Sequence, residues 1–287
     1  MMQTISSISA LRHVLKPLRQ AGLRIGFVPT MGALHAGHLS LIGDCRKHAD
    51  CVVASIFVNP TQFAPHEDLA KYPRPLERDL QLCAAAGVDV VFLPTVEELY
   101  PPGFCSWVTV EGVSAELEGA IRPDHFRGVA TVVAKLFQIV QPTVACFGAK
   151  DYQQQTVIRR MVLDLDLPIE IVVCPTFRED DGLAMSSRNI YLTTEQRKSA
   201  LSLSQGLIIA RNRLHARSTD LRAIERAVQE FIGSHDQTVV DYVRIADPDS
   251  LAPLLTPQRS MVVLVAARVG LTRLIDNTVV ELPENAP

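Results

Sequence analysis

At 287 residues the chain exceeds one average domain, which leaves one large or two unequal domains. Its 47% hydrophobic and 21% charged residues are ordinary for a soluble globular protein, and no uncharged apolar run is long enough to span a bilayer. A formal net charge of −3 without any basic tract speaks against a nucleic-acid partner held by phosphate neutralisation.

Read from the N-terminus, Met1 to Ala10 lacks a basic flank followed by an apolar core, so no signal peptide is expected there. Apolar runs then alternate with helical patterns: strands are expected at Arg24–Val28, Cys51–Val58, Val88–Leu93, Thr143–Phe147 and Ile169–Val173, and helices at Leu39–Ala49, Pro75–Ala86, Val129–Val140 and Tyr152–Leu163. Continuous Val/Ile-rich strands interleaved with helices imply an α/β architecture, a parallel sheet covered on both faces, with ligands beyond the carboxyl ends of the strands. After about Phe177 the pattern changes to helices at Thr193–Ala216 and Leu221–Ile232, followed by apolar runs at Val239–Ile245, Met261–Arg268 and Thr272–Leu282. Helices followed by consecutive strands suggest a smaller α+β domain. The six cysteines (Cys45, Cys51, Cys83, Cys105, Cys146 and Cys174) form no C-x-x-C pair and several lie in apolar runs, so buried thiols in a reducing cytoplasm are expected rather than disulfides or zinc ligands.

Four loops carry nearly every unusual residue. The first, Pro29-Thr30-Met31-Gly32-Ala33-Leu34-His35-Ala36-Gly37-His38, reads as strand, glycine turn and helix start. A helix N-terminus presents unpaired N–H groups and a positive dipole end to an anion, and His35 and His38 stand one turn apart on the same face. Two imidazoles beside an anion site suit chemistry at a nucleotide phosphate. The second, Phe57 to Phe63, carries Asn59 and Gln62, amides suited to fixing a small polar substrate. The third, Phe147 to Gln154, places Lys150 as a point charge for phosphate, Asp151 at an N-cap or ribose position, and Gln154 one turn into the next helix. In the fourth, Asp181 to Asn189, Ser186, Ser187 and Arg188 follow a glycine turn and can bind phosphate oxygens. Taken singly, the last three also read as a proline turn, a capped helix start and a loop.

In order, P-T-M-G-A-L-H-A-G-H, F-V-N-P-T-Q-F, R-P-D-H-F-R-G-V, F-G-A-K-D-Y-Q-Q and D-G-L-A-M-S-S-R-N resemble the pantothenate synthetase family, and Ala266-Ala267-Arg268 with Thr272 to Asn277 resembles its C-terminal signature. The resemblance implies a Rossmann-like, doubly wound parallel sheet over residues 1–176 that binds ATP and pantoate, and a smaller α+β lid domain over 177–287. It implies an AMP-forming ligase that joins pantoate to β-alanine through pantoyl adenylate, with Mg-ATP as co-substrate and no tightly bound organic cofactor. A cytoplasmic homodimer is also implied, with no membrane or nucleic-acid partner. By the resemblance, Met31, Gly32, Ala33, Leu34, His35, Ala36, Gly37 and His38 form the ATP loop, with His38 the catalytic proton donor and His35 beside it at the phosphates. Gly148, Ala149, Lys150, Asp151, Met185, Ser186, Ser187 and Arg188 match further ATP contacts, with Phe177 near the adenine through its backbone and Lys150 and Arg188 stabilising charge. Gln62 and Gln154 match the pantoate amides, Asn59, Tyr72 and Arg122 line the same pocket, and Asp79 stands near the magnesium. Two positions depart from the family pattern: Ala149, where glutamate is common, and Asp124, where a small residue is usual in R-P-x-H-F. These leave open the electrostatics around Lys150 and the shape of the loop carrying Arg122 and His125. Two other readings share the first motif, a nucleotidyltransferase that attaches a nucleotide to a phosphorylated alcohol and a nucleotide-sensing protein without catalysis.

Overall fold

The computed structural model describes residues 2–64 and 67–283, so residues 1, 65, 66 and 284–287, counted within the two expected domains, lie outside the described residues. The chain divides into two compact units, Met1–Ala149 with Gln153–Pro175, and Lys150–Tyr152 with Thr176–Pro287.

In the first unit, strands β1 (Gln3–Ile5), β2 (Ile25–Thr30), β3 (Cys51–Ile56), β4 (Val90–Phe92), β5 (Val144–Gly148) and β6 (Glu170–Cys174) form a parallel sheet in the order β1-β4-β3-β2-β5-β6. Helices α1 (Ile8–Gln20), α2 (Ala36–Arg46), α3 (Leu76–Ala85), α4 (Val96–Leu99), α5 (Glu118–Ile121), α6 (His125–Val140) and α7 (Tyr152–Asp164) connect the strands or extend the loops. Strand order reverses between β2 and β5, which makes the carboxyl ends of those two strands the place where an open α/β sheet holds its ligand. The expected Rossmann-like α/β sheet is the one the chain forms.

The central strands are apolar on both faces because helices cover both, so they read as continuous Val/Ile runs rather than alternating ones. Over one face, Val28, Leu34, Ile42, Cys45, Val52, Ala54, Val144 and Cys146 form one buried cluster. Each large aliphatic side chain buried there contributes roughly 1.5–3 kcal/mol. Five cysteines are buried and Cys105 is exposed. Burial pushes the Cys51 and Cys83 thiols up to about 11, which keeps them protonated and inert.

Two elements start earlier than periodicity implies. Helix α2 begins at Ala36 rather than Leu39, and α6 at His125 rather than Val129, since a first turn that faces a polar site needs no apolar stripe. Strand β1 and helix α1 were not anticipated; α1 carries Pro17, a breaker signal, yet is capped by Ser7 Oγ accepting from Ala10 N at 3.3 Å.

In the second unit, α8 (Thr194–His215) and α9 (Leu221–Gly233) precede an antiparallel sheet of β7 (Thr238–Ala246), β8 (Ser260–Val269) and β9 (Thr272–Glu281). A capping box opens α8, with Thr193 Oγ1 accepting from Gln196 N and Gln196 Oε1 accepting from Thr193 N. Its core joins Leu203, Leu207 and Leu214 of α8, Ile224 and Val228 of α9, and Val263 and Val265 of β8. No helix among the described residues is long and apolar enough to cross a membrane.

Candidate active site

The first loop leaves β2 through a tight left-handed turn. Gly32 has φ 82° and Ala33 φ 51°, and an L residue in that region costs on the order of 1 kcal/mol or more. The turn is held from two sides. Thr30 Oγ1 donates to Ser55 O at 2.7 Å and accepts from Gly32 N at 3.2 Å. From α3, Asp79 accepts the Ala33 N–H on Oδ2 and the Leu34 N–H on Oδ1, both at 2.8 Å. Hydrogen bonds to a charged acceptor contribute about 1.5–3 kcal/mol each, enough to outweigh the strain at Ala33. A Cβ at Gly32 would stand 3.0 Å from that same Oδ2.

Beyond the turn, buried Leu34 pins the chain to the core and His35 becomes the N-cap of α2. The His35 backbone N–H donates to His38 Nδ1 at 3.3 Å, and the two rings lie 4.1 Å apart between centroids. An N–H can only donate, so His38 Nδ1 is the unprotonated nitrogen and a neutral ring carries its proton on Nε2. Helix geometry leaves the N–H groups of Ala36 and Gly37 without intrahelical partners, a setting favourable to an anion.

Asp79, expected near the magnesium, faces the backbone of this turn. Its residue is 1% exposed and both carboxylate oxygens are engaged by backbone N–H groups. A hard divalent cation needs open, hydrated oxygen ligands, so Asp79 does not fit the part of a direct ligand. Among the described residues no group of three or more His, Cys, Asp or Glu side chains is arranged to hold a metal ion.

The second loop builds a closed amide network. Asn59, 1% exposed, donates from Nδ2 to Gln62 Oε1 at 3.1 Å and to Gly128 O at 3.2 Å, while its Oδ1 accepts from Tyr100 Oη at 2.9 Å and Thr61 Oγ1 at 3.0 Å. Asn59 is therefore saturated and positions Gln62, whose Nε2 lies 3.1 Å from the thioether of Met31 in the first loop. Gly128 permits this approach: a Cβ there would stand 2.4 Å from Thr61 O. Tyr72 is 5% exposed, edge-on to Phe63.

Behind Gln62 stands a relay. His125 Nδ1 donates to the Gln62 carbonyl at 2.9 Å, and its Nε2 accepts from Arg122 Nη1 at 3.2 Å. Arg122 forks onto Glu67 at 2.6 and 2.8 Å. Burial, helped by the Arg122 charge, pushes His125 down to about 4, so the ring is neutral and the tautomer is fixed by its two partners. The guanidinium of Arg122, expected to line the substrate pocket, is engaged by Glu67 and His125.

On α7, Gln154 is partly buried on the first turn, and the buried anchor is its neighbour Gln153. Gln153 accepts from Glu118 N at 3.0 Å and donates to Val113 O and Glu116 O at 2.9 and 2.8 Å. Gly148 ends β5, and Ala149 N donates to Cys174 O at 2.8 Å.

In the second unit, Lys150 Nζ lies 3.9 Å from Asp151 Oδ1, and the Lys150 carbonyl accepts from Asn277 Nδ2 at 2.8 Å. A short hairpin carries the fourth motif: Phe177 O accepts from Met185 N, Arg178 bridges to Ala184, and Gly182 turns with φ 91°. Phe177 is 40% exposed. Arg178 forks onto Asp276 at 2.7 and 2.9 Å, and that carboxylate raises the Arg178 pKa. Arg197 reaches Glu179 and Asp181, each at 2.7 Å. Ser186 Oγ accepts from Arg188 N at 3.2 Å and caps the 3-10 turn Ser187–Tyr191. The C-terminal signature thus supports this loop through Asp276 and Lys150 through Asn277.

Sequence reasoning missed Glu67, Tyr100, Gln153 and the supporting roles of Asp276 and Asn277. All act over long sequence separations, and only the Thr272 to Asn277 motif carried a local signal.

A family model described as pantoate-beta-alanine ligase matches residues 3–279. The chain is 54% identical over 281 residues to the pantothenate synthetase of Moorella thermoacetica, covering 98% of this chain and 99% of that one. It is 54% identical over 279 residues to that of Herpetosiphon aurantiacus, covering 97% and 100%. The crystal structure of pantothenate synthetase from Thermus thermophilus superposes with a TM-score of 0.90 at 48% identity, covering 96% of this chain and 99% of that one. The pantoate-beta-alanine ligase of Francisella tularensis, complexed with beta-gamma ATP and beta-alanine, superposes with a TM-score of 0.78 at 34% identity, covering 97% of each chain.

Proposed function

The chain belongs to the pantoate-beta-alanine ligase family, and from that premise we propose that it joins pantoate to β-alanine in two ATP-driven steps. In the first, a pantoate carboxylate oxygen bonds to the α-phosphorus of Mg-ATP, the bond from that phosphorus to the pyrophosphate oxygen breaks, and pyrophosphate leaves. In the second, the β-alanine amine bonds to the acyl carbon of pantoyl adenylate, the acyl–oxygen bond breaks, AMP leaves, and the nitrogen gives up its proton.

The observation that carries this reading is the His38 tautomer: a ring with Nδ1 occupied by the His35 N–H can offer only Nε2–H to an oxygen that gains charge. His35, Lys150 and Arg188 add donors for the phosphates, with Ser186, Ser187, Met185 and the segment Gly148 to Asp151 contacting ATP and Phe177 contacting the adenine. Gln62 and Gln154 hold pantoate, and Gln62 also reaches β-alanine; its amide is already oriented by Asn59, which reduces the ordering needed when substrate arrives. Tyr72 closes the same pocket. The working state is a cytoplasmic homodimer, as the resemblance implies.

The test is pyrophosphate release with Mg-ATP and pantoate, with and without β-alanine. A single-turnover burst with pantoate alone, turning into steady AMP formation once β-alanine is added, is the expected result. Absence of pantoate-dependent pyrophosphate sinks the reading and leaves a nucleotidyltransferase on the same fold, which would retain the nucleotide in its product.

A further inference from the structure

Two successive backbone N–H groups in a left-handed turn form a small anion-binding concavity, and in nucleotide-binding loops such a concavity ordinarily receives phosphate. Here the turn at Gly32 and Ala33 has that shape, but its donors are already taken. The Ala33 and Leu34 N–H groups both end on Asp79, at 2.8 Å each, and Asp79 is 1% exposed. The chain supplies its own anion to its own loop, from a helix that follows the next strand of the sheet.

We propose that Asp79 is a positioning residue for catalysis: it fixes the turn from which His35 and His38 project, and it bars the Ala33 and Leu34 N–H groups from the nucleotide. The inference rests on the reading of the first loop as the ATP loop. Three features support it. The left-handed Ala33 is strained for a residue with a Cβ, so some fixed contact must hold it. Only one residue, Leu34, separates the clamped turn from the N-cap His35, whose own N–H sets the His38 ring. Gly32 leaves room for the carboxylate, since a Cβ there would meet Asp79 Oδ2 at 3.0 Å. Phosphate is accordingly left to the α2 N-terminus and the side-chain donors.

Asp79→Asn is the discriminating variant. It is nearly isosteric, yet an amide has one acceptor and must set its NH2 against one of the two N–H donors. With wild type releasing pantoate-dependent pyrophosphate, the variant is expected to lose about a hundredfold in kcat, the scale of a displaced catalytic group. Its half-saturating magnesium concentration at fixed ATP should be unchanged. The His38 ring nitrogens, followed by nitrogen-15 NMR, should shift from one tautomer to a mixture. Cys83→Ala, in the core face of the same helix, supplies a variant weakened in stability alone and should keep wild-type kcat. A kcat within twofold of wild type in Asp79→Asn overturns the proposal, and so does activity restored by raised magnesium, which would make Asp79 a metal-site residue. Failure of wild type itself to release pyrophosphate strikes the function and not the clamp. Should Asp79→Asn not fold, the wild-type amides decide: Ala33 and Leu34 N–H are expected downfield and slow to exchange, and rapid exchange overturns the clamp.

Discussion

Two loops of this molecule do comparable work and are held in opposite ways. The turn at Gly32 and Ala33 is held by buried Asp79 and Thr30, and the amide pocket beside it by buried Asn59 and His125. The hairpin of the second unit, by contrast, carries besides the Arg178 pair with buried Asp276 two ion pairs that water reaches, from Arg197 to Glu179 and to Asp181. A buried polar anchor is strong because its partners have nowhere else to go, and its loss leaves them unsatisfied. Exposed pairs are weak singly and tolerate loss because solvent replaces the missing partner. The first arrangement fixes geometry, which suits groups that must aim at reacting atoms. The second tolerates the loss of a single contact without large penalty.

Acid separates the two most sharply. His125 has a folded pKa pushed down to about 4 by burial, against 6.5 in the unfolded chain. Below pH 6.5 the unfolded chain therefore binds a proton that the folded one refuses, so stability falls as pH drops from 6.5 towards 4. The loss approaches about 1.4 kcal/mol per pH unit and sums to about 3 kcal/mol. The hairpin carboxylate Asp181, whose pKa is lowered, keeps its contribution until the pH falls below the ordinary carboxylate range. Urea midpoints measured from pH 7 to 4 should show this slope, and His125→Gln, neutral at every pH, should lose one proton's worth of it. An unchanged slope in the variant would remove His125 as the acid-sensitive element.

The same contrast decides what could be read in advance. The strands and the four motif loops were legible because apolar periodicity and glycine or proline turns are local signals. The direction of the Asn59 and Gln62 pair towards a common job was legible too, since both flank one proline turn. The ties of Arg122 were not legible because its partners, Glu67 and His125, are chosen by how α6 packs against the turn at Thr61, which Gly128 allows and no spacing announces. The contact of Asp79 with the first loop was not legible for a related reason. A carboxylate on the first turn of a helix gives no sign that it points inward at a backbone turn 45 residues away.

On the exposed side, smaller effects are expected. Arg197→Ala removes two contacts at once, yet its side chain is 33% exposed and the two carboxylates remain solvated. A loss of about 1 kcal/mol or less is expected, shrinking further in high salt. Thermal unfolding at two salt concentrations measures it. A loss above about 3 kcal/mol, independent of salt, would mean the hairpin is anchored as rigidly as the first loop.

The smallest effect concerns Asp124, the departure from the family pattern. It sits before α6 with φ 65°, in the left-handed region, and its side chain is 79% exposed and makes no capping bond. That conformation explains why a small residue is usual there, because glycine adopts it freely and aspartate is among the L residues that tolerate it. Glycine would relieve the strain but loosen the unfolded chain and remove a negative charge from a helix N-terminus, terms of a few tenths to 1 kcal/mol that oppose one another. Asp124→Gly should therefore leave stability within about 0.5 kcal/mol. Asp124→Ala keeps the strain and loses the charge, so it should destabilise by about 1 kcal/mol. Equal unfolding midpoints for the alanine variant and wild type would show that the left-handed turn before α6 carries no strain, and the position would then be free of the constraint that its neighbours Arg122 and His125 obey.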